Sequence, residues 1–173
     1  DILRSGETRR WVTPIEVFER TWRRADYWAL ALVPICEIPG TAEPLNYLKT
    51  AYAFEETGNP QLALQAYRAA STPWPNNAAI WNALGNMHFD SRHWLEAVQS
   101  VTRATRLQAK SITGWNNLAY ALHAFGCGSA AQTALQCGLK ISPADTNLHD
   151  SAQELGNQSS NTQRTDCPNI SCN

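Results

Sequence analysis

A constant spacing recurs through the middle of the chain and constrains the fold more than any other feature. Tyr47, Trp81 and Trp115 follow one another at intervals of 34 residues along the sequence. Other sets of similar residues recur at the same interval. They are Leu84 and Leu118; Ala51, Gly85 and Ala119; Ala63, Ala97 and Ala131; Tyr67, Val101 and Leu135; and Ala70, Ala104 and Gly138. A period of this length is typical of stacked repeats, in which each unit buries its apolar face against its neighbours.

Each unit has the pattern of two helices joined by a turn. The first half carries an aromatic residue, a leucine and a small residue at helical spacing, and the second half carries alanine, a larger apolar residue and alanine. The segments "ETGNP", "FDSRH" and "AFGCG" between the halves are typical of turns. The sequence therefore predicts an array over residues 44–156. Its parts are three helical hairpins at 44–77, 78–111 and 112–145, and a solvent-facing capping helix at 146–156.

The second unit carries the order W-x-x-L-G-x-x-H from Trp81 to His88, followed by the alanine pattern in its second half. This order resembles the tetratricopeptide repeat (TPR), although Thr50, Leu122 and Ala109 replace the usual leucine, tyrosine and proline. The resemblance implies a mostly α-helical solenoid whose first helices line a concave face. It also implies a module that binds proteins or peptides.

The positions that this resemblance places on the concave face are rich in asparagine. Asparagine is a poor helix former, so helix propensity does not explain Asn82 and Asn86 one turn apart. An amide offers both a donor and an acceptor, which suits hydrogen bonding to the backbone of an extended peptide. The predicted groove comprises Leu48, Tyr52, Glu55, Asn82, Asn86, Phe89, Asn116, Asn117, Tyr120 and His123. The alternative is that the amides cap or bridge neighbouring helices.

The predicted groove is poor in basic residues. Lys49 is the only basic residue near it in the predicted first helices. Family members that clamp a C-terminal carboxylate use lysines and arginines for that purpose, so a clamp of this kind is not expected. We expect instead an extended or partly apolar segment, either from a partner protein or from the same polypeptide.

Residues 1–40 do not share the period and have the pattern of a small α/β fragment. The segment "ILRSGETRRWV" predicts a β-hairpin, Thr13 and Pro14 begin a predicted helix, and "YWALALV" predicts a buried strand. The order F-x-x-x-W followed by Y-W-A-L-x-L-V-P is similar to the end of the bacterial C39-like (papain-like) cysteine peptidase domain. That resemblance implies that the catalytic residues precede Asp1. It suggests a bacterial periplasmic or membrane-associated protein, with the cytoplasm as the alternative.

The sequence predicts no catalytic, metal or cofactor site. A formal net charge of −1 does not favour nucleic acid as a partner, and no apolar run approaches the ~20 residues that cross a bilayer. His88 and His93 lack the neighbouring ligands of a metal site, and we expect His88 to be a hydrogen-bonded core residue. The leading hypothesis is a non-catalytic binding module. The alternatives are a processed fragment of an active cysteine peptidase and an assembly scaffold.

The five cysteines fall into two groups. Cys36, Cys127 and Cys137 lie among apolar neighbours, where a free thiol behaves as a small hydrophobic group. Cys167 and Cys172 lie in a polar tail, and the sequence leaves open a local disulfide between them or two unpaired thiols. The tail over residues 157–173 is rich in Asn, Ser, Gln and Thr and is expected to be disordered.

Overall fold

The computed structural model describes residues 43–157 and 164–172, and these residues contain seven helices and no strand. The helices are α1 (Pro44–Glu56), α2 (Pro60–Ser71), α3 (Ala78–Asp90), α4 (Trp94–Leu107), α5 (Ile112–Ala124), α6 (Gly128–Ile141) and α7 (Thr146–Asn157). The odd-numbered helices, called first helices below, begin at intervals equal to the repeat period of the sequence. The even-numbered ones are called second helices. The α/β remnant predicted for residues 1–40 lies outside the described residues.

The helices pack in the order of a solenoid. Each first helix packs against the second helix of its own hairpin, and each second helix packs against the next first helix. Two pairs of first helices, α3 with α5 and α5 with α7, also touch directly. Three hairpins and a closing helix therefore form one continuous array, as the period predicts.

Small residues set the distance between the two helices of a hairpin. Ala51, Ala63, Ala119 and Ala131 are all fully buried. The closest approach is at Gly85, where a Cβ atom would lie 2.1 Å from Cγ2 of Val101. No real side chain tolerates that distance, so α3 and α4 can pack this closely only because residue 85 is glycine.

One hydrogen bond is repeated along the array and fixes the aromatic column. In each case a ring nitrogen lies 2.7–2.8 Å from a backbone carbonyl oxygen six residues earlier, in the loop before its helix. The pairs are Trp81 with Pro75, Trp115 with Ala109, and His149 with Pro143. Because His149 makes the same contact as the two tryptophans, α7 takes the place of the first helix of a fourth unit.

The buried apolar side chains form two clusters. One joins α1, α2 and α3 and includes Tyr47 and Tyr67. The other extends from α4 to α7 and includes Trp115 and Leu118. The boundary between the two clusters, called the seam below, lies within the middle hairpin, although α3 and α4 pack closely there at Gly85 and Val101.

Residues 164–172, called the tail strap below, are bound to α6 by two disulfides. Cys127 is bonded to Cys167, and Cys137 is bonded to Cys172. The predictions of free thiols at Cys127 and Cys137, and of a local disulfide or unpaired thiols in the tail, are therefore wrong. The partners are 40 and 35 residues apart, and such pairs leave no local pattern in a sequence.

The tail strap lies along α6 and contains no helix or strand. Ten helical residues rise about 15 Å, and five extended residues span about 16 Å, so two bonds of these spacings are compatible. The partly buried side chains of Cys167, Ile170 and Cys172 pack against the buried cluster that extends from α4 to α7. The prediction of disorder for 157–173 is wrong for this part of the tail, because the disulfides and these contacts hold it in place.

Candidate functional site

The surface that carries the predicted groove residues is formed by the first helices and is called the inner face below. Its core is a pair of positions on each first helix, one and five residues after the aromatic column. The side chains there are Leu48 and Tyr52, Asn82 and Asn86, Asn116 and Tyr120, and Asp150 and Glu154. Tyr52 is the most exposed of the large hydrophobic side chains among the described residues, at 58%. Asn86, Asp150 and Glu154 are also exposed.

Asn117 connects α5 to α3 through two of these amides. Its Nδ2 donates to Oδ1 of Asn82 at 3.3 Å and to Oδ1 of Asn86 at 3.0 Å. Asn117 therefore bridges two neighbouring first helices. Because the oxygens of Asn82 and Asn86 accept these bonds, the two side chains are held in fixed orientations.

The nitrogen ends of the same two amides are not used within the described part of the chain. No described residue accepts a hydrogen bond from Nδ2 of Asn82 or Asn86. In Asn116 the oxygen is the unused atom. Its Oδ1 is shielded from solvent and has no hydrogen-bond partner among the described residues. A buried polar atom of this kind costs roughly 1–3 kcal/mol.

Tyr120 connects α5 to α7. Its hydroxyl donates to Oε2 of Glu154 at 2.6 Å and lies 3.3 Å from Oγ of Ser151. The hydrogen bond to Glu154 raises the pKa of the Tyr120 phenol, because ionisation would remove the proton that this bond uses. Tyr120 therefore holds the Glu154 carboxylate in place on the inner face.

Two of the predicted groove residues are engaged by second helices. Glu55 accepts a hydrogen bond from the hydroxyl of Tyr67 on α2. Burial, and then this bond, raise the pKa of the Tyr67 phenol. Phe89 packs edge-to-face against Trp94 at the start of α4, with ring centroids 5.2 Å apart. These contacts stabilise the hairpins and leave Glu55 and Phe89 less available to a ligand than the asparagines.

Asp150 and Glu154 were not among the predicted groove residues. They lie one repeat period after Asn116 and Tyr120, so the period itself contained the signal. The aromatic pattern does not mark them, because His149 takes the place of tryptophan on α7. By that pattern alone, α7 is a capping helix whose outward residues form an ordinary solvated surface.

His88 is buried, as predicted, but its Nδ1 has no hydrogen-bond partner among the described residues. Burial is the main cause that lowers the pKa of its imidazole, and the charge of Arg68 adds to it. No group of three or more His, Cys, Asp or Glu side chains in the described ranges could hold a metal ion. None of the seven helices is both long and apolar enough to cross a bilayer.

A separate cleft lies between α4 and the tail strap. It has a volume of about 720 Å³, and its lining includes Leu95, Arg103, Phe125, Asp166 and Pro168. Arg103 also stacks on the Trp81 ring, with its Cζ 4.2 Å from the ring centroid, and donates to the Pro75 carbonyl at 3.1 Å. None of the predicted groove residues lines this cleft, so it is distinct from the inner face.

No protein-family model and no curated protein matches this chain in sequence. Solved structures match in fold. The first TPR of Spaghetti (RPAP3), bound to the HSP90 peptide SRMEEVD, matches with a TM-score of 0.62 and 13% identity over 66% of this chain and 91% of that one. A MamA protein matches with a TM-score of 0.64 and 18% identity, over 84% of this chain and 80% of that one.

A third structure, a K341M mutant of the O-GlcNAc transferase of Thermobaculum terrenum, has a TM-score of 0.59 and 20% identity over 66% of this chain. The match covers only 23% of the transferase chain, so it carries no implication of catalysis. Identities this low show the fold alone. The fold of the described residues is a TPR-like helical solenoid, as the sequence predicts.

Proposed function

We propose that this chain is a non-catalytic module that binds an extended peptide on its inner face. The observation that carries the proposal is the state of Asn82 and Asn86. Asn117 fixes both amides through their oxygens, and their nitrogen ends have no acceptor among the described residues. Fixed donors of this kind suit the carbonyl groups of an extended backbone, whatever its side chains.

The spacing of the array supports the same mode of binding. Packed helices lie about 8–10 Å apart, and three residues of extended peptide span about 10 Å. A peptide that crosses the first helices would therefore pass one unit about every three residues. The RPAP3 repeat domain, which shares this fold, is seen with a bound HSP90 peptide.

The chemistry of the ligand should differ from that of SRMEEVD. That peptide contains three acidic residues, whereas Lys49 is the only lysine or arginine on α1, α3, α5 and α7. We infer an extended, partly apolar segment, supplied by a partner protein or by the same polypeptide.

A second part of the proposal concerns the protein to which the array belongs. The pattern of residues 1–40 supports a C39-like cysteine peptidase domain before the array, in which case the array would hold a substrate or partner for that domain. The two disulfides support an oxidising compartment such as the periplasm, because structural disulfides persist in such compartments. Upstream coding sequence that lacks a Cys followed by His and Asp would contradict the peptidase assignment.

The binding proposal is tested by selecting ligands from a displayed library of random twelve-residue peptides. Replacing Asn82 and Asn86 by alanine should weaken binding of the selected peptides about tenfold, because each lost hydrogen bond contributes about 0.5–1.5 kcal/mol. Affinity is measured by fluorescence anisotropy, and helix content by circular dichroism. The matched control replaces two exposed amides on second helices, Gln65 and Gln136, by alanine. Failure to select any peptide, or equal affinity for both double variants, would contradict the proposal.

A further inference from the structure

The cleft between α4 and the tail strap is called the outer cleft below. A stripe of residues along α4 lines it; they include Leu95, Val98, Thr102, Arg103, Arg106 and Leu107. Asp166 and Pro168 of the tail strap line it as well. A second cavity, of about 140 Å³, shares Thr102 and Arg106 with the outer cleft and reaches residues 169–171 of the strap. The two cavities therefore form one groove that follows α4.

The outer cleft offers apolar surface to a ligand. Leu95 and Leu107, at the two ends of the α4 stripe, are 48% and 39% exposed. Phe125 and Pro168 add two further apolar side chains to the lining. The volume of about 720 Å³ lies within the range of about 300–1,000 Å³ that is usual for binding pockets, which combine apolar walls with a few oriented polar groups. The outer cleft therefore has the size and the apolar content of a binding site.

Two arginines give the outer cleft a positive charge. Arg103 is held by stacking on the Trp81 ring and by a hydrogen bond to the loop before α3. Arg106 is exposed, and neither arginine forms an ion pair with a described residue. The carboxylate of Asp166 accepts two hydrogen bonds of 2.8 Å from Arg164, which balances its charge. The lining is therefore net positive, and guanidinium groups bind carboxylates through charge-assisted hydrogen bonds.

We propose that the outer cleft binds an acidic segment of a partner protein, in which an apolar side chain lies three or four residues from a carboxylate side chain. Leu95 and Arg103 are about two helical turns apart on α4. That spacing is a rise of about 12 Å, and three or four extended residues span the same length. The apolar side chain contacts Leu95 and Phe125, and the carboxylate binds Arg103 and Arg106. This site is separate from the inner face and does not rest on the proposed function.

The outer cleft depends on one disulfide of the tail strap. Cys167 lies between Asp166 and Pro168, which both line the cleft, and it is bonded to Cys127 immediately before α6. Without this bond, the strap loses its covalent attachment next to the cleft. The other disulfide of the strap joins residues that do not line the outer cleft. Binding of the acidic segment should therefore depend more on the first bond than on the second.

The inference is tested with fluorescein-labelled eight-residue peptides and the full chain, by fluorescence anisotropy. Three pools carry leucine or phenylalanine at one position, and glutamate, glutamine or lysine at the two positions three and four residues away. Both orders along the peptide are included. The glutamate pool should bind roughly three- to tenfold more tightly than the glutamine pool, and the lysine pool should bind most weakly. A fourth pool, with glutamate but with serine at the apolar position, should bind no better than the glutamine pool.

Matched variants test whether these peptides bind in the outer cleft. Arg106→Gln should reduce the preference for glutamate over glutamine. Lys140→Gln, which removes an exposed basic residue of α6 outside the cleft, should leave the preference unchanged. Leu95→Ala should weaken binding of the glutamate pool, whereas Leu62→Ala, at an exposed leucine of α2 outside the cleft, should not. Equal effects within either pair of variants would overturn the assignment to the outer cleft.

The role of the tail strap is tested by removing its disulfides one at a time. The double variant Cys127→Ala with Cys167→Ala should bind the glutamate pool more weakly than the double variant Cys137→Ala with Cys172→Ala. Circular dichroism identifies a temperature at which both variants keep the helix content of the wild type, and affinities are compared there. Equal affinities would contradict the strap as part of the site.

The remaining outcomes separate this site from other occupants. Equal binding of the glutamate and glutamine pools, or tighter binding of the lysine pool, would overturn the inference. Tight binding of the serine pool would reduce the site to one for any anion. Self-association of the chain in sedimentation that Leu95→Ala abolishes would assign the cleft to a second copy instead. Replacing Asn82 and Asn86 by alanine should leave the affinity for the glutamate pool unchanged, because those residues lie on the inner face; a loss there would move these peptides to that face.

Discussion

The first and third hairpins follow the same residue pattern but are stabilised in different ways. In the third hairpin, the Trp115 ring donates to a carbonyl of the preceding loop, and two disulfides join α6 to the tail strap. In the first hairpin, Tyr47 takes the aromatic position, and its hydroxyl is buried with no hydrogen-bond partner among the described residues. No disulfide joins α1 or α2 to another described residue.

A repeat pattern determines how a hairpin folds but not how firmly it is held. Local free energies of opening differ widely within one protein, and segments with few long-range ties open first. We therefore expect α1 and α2 to open more readily than α5 and α6. The exposed apolar side chains of Leu45, Tyr52 and Leu62 also lie on this first hairpin.

The largest effect is expected from breaking the disulfides. Replacing Cys127 and Cys167, or Cys137 and Cys172, by alanine should cost about 2–4 kcal/mol of unfolding free energy per bond. Hydrogen exchange should accelerate in α6 and stay unchanged in α1 and α2. Non-reducing mass spectrometry should first find the two linked peptides. Unchanged exchange in α6 after reduction would remove the contrast between the two ends of the array.

A smaller effect is expected at the seam, from Gly85→Ala. The new Cβ would overlap Val101, and overpacking of this kind costs about 1–3 kcal/mol, which exceeds the gain of up to about 1 kcal/mol in helix propensity. Chemical denaturation measures the difference. Gly138→Ala is the matched control and should cost less, because its Cβ would lie 2.8 Å from the side-chain end of Leu148 and 3.4 Å from Cβ of Trp115, farther than the 2.1 Å contact at Gly85. Equal costs at both glycines would show that α3 and α4 do not pack as closely as described.

The next prediction concerns Tyr47 and Tyr67, the two tyrosines in the buried cluster that joins α1, α2 and α3. Tyr47→Phe removes a buried hydroxyl without a described partner and should stabilise the chain by about 1 kcal/mol. Tyr67→Phe removes a hydroxyl that donates to Glu55 and should destabilise it by about 1 kcal/mol. Thermal unfolding of both variants checks the opposite signs. A loss of stability in Tyr47→Phe would mean that its hydroxyl has a partner, and the first hairpin would then be less weakly held than we infer.

The sequence predicts the helical hairpins but not the hydrogen bonds and disulfides that connect distant residues, for a physical reason. Helix periodicity is a local property, so Trp81, Leu84 and Gly85 are enough to define one face of α3. The same geometry correctly places Asn82 and Asn86 together on that helix. The acceptor role of their oxygens depends on Asn117, about one repeat later in the chain, and a sequence pattern does not specify such a bond.

The tail shows the same limit more strongly. Its polar composition predicts disorder because it offers little apolar surface to bury. Two covalent bonds outweigh that tendency, and neither bond is visible in the local spacing of Cys167 and Cys172. Asp150 and Glu154 are an intermediate case. Their positions follow from the period, but their place on the inner face required the contact between His149 and Pro143.

The smallest expected effect is a loss of stability in mild acid, centred on His88 at the seam. Burial, and secondarily Arg68, lower the pKa of His88, while Glu96 opposes them and His93 adds a smaller lowering effect. A lowered pKa means that the folded chain takes up the proton less readily than the unfolded chain. The stability contribution is therefore complete above the ordinary histidine pKa of about 6.5 and decreases as the pH falls below it.

The difference in melting temperature between pH 7.5 and pH 5 measures this contribution. It should be largest in the wild type, smaller in Arg68→Gln, and smallest in His88→Phe, which removes the titrating group and fills a similar volume. Hydrogen exchange at pH 5 should show faster opening of α1 and α2, because protonation of His88 weakens the packing of α3 against its neighbours. If the acid sensitivity is the same in all three proteins, His88 does not control it, and the carboxylates of the first helices become the better explanation.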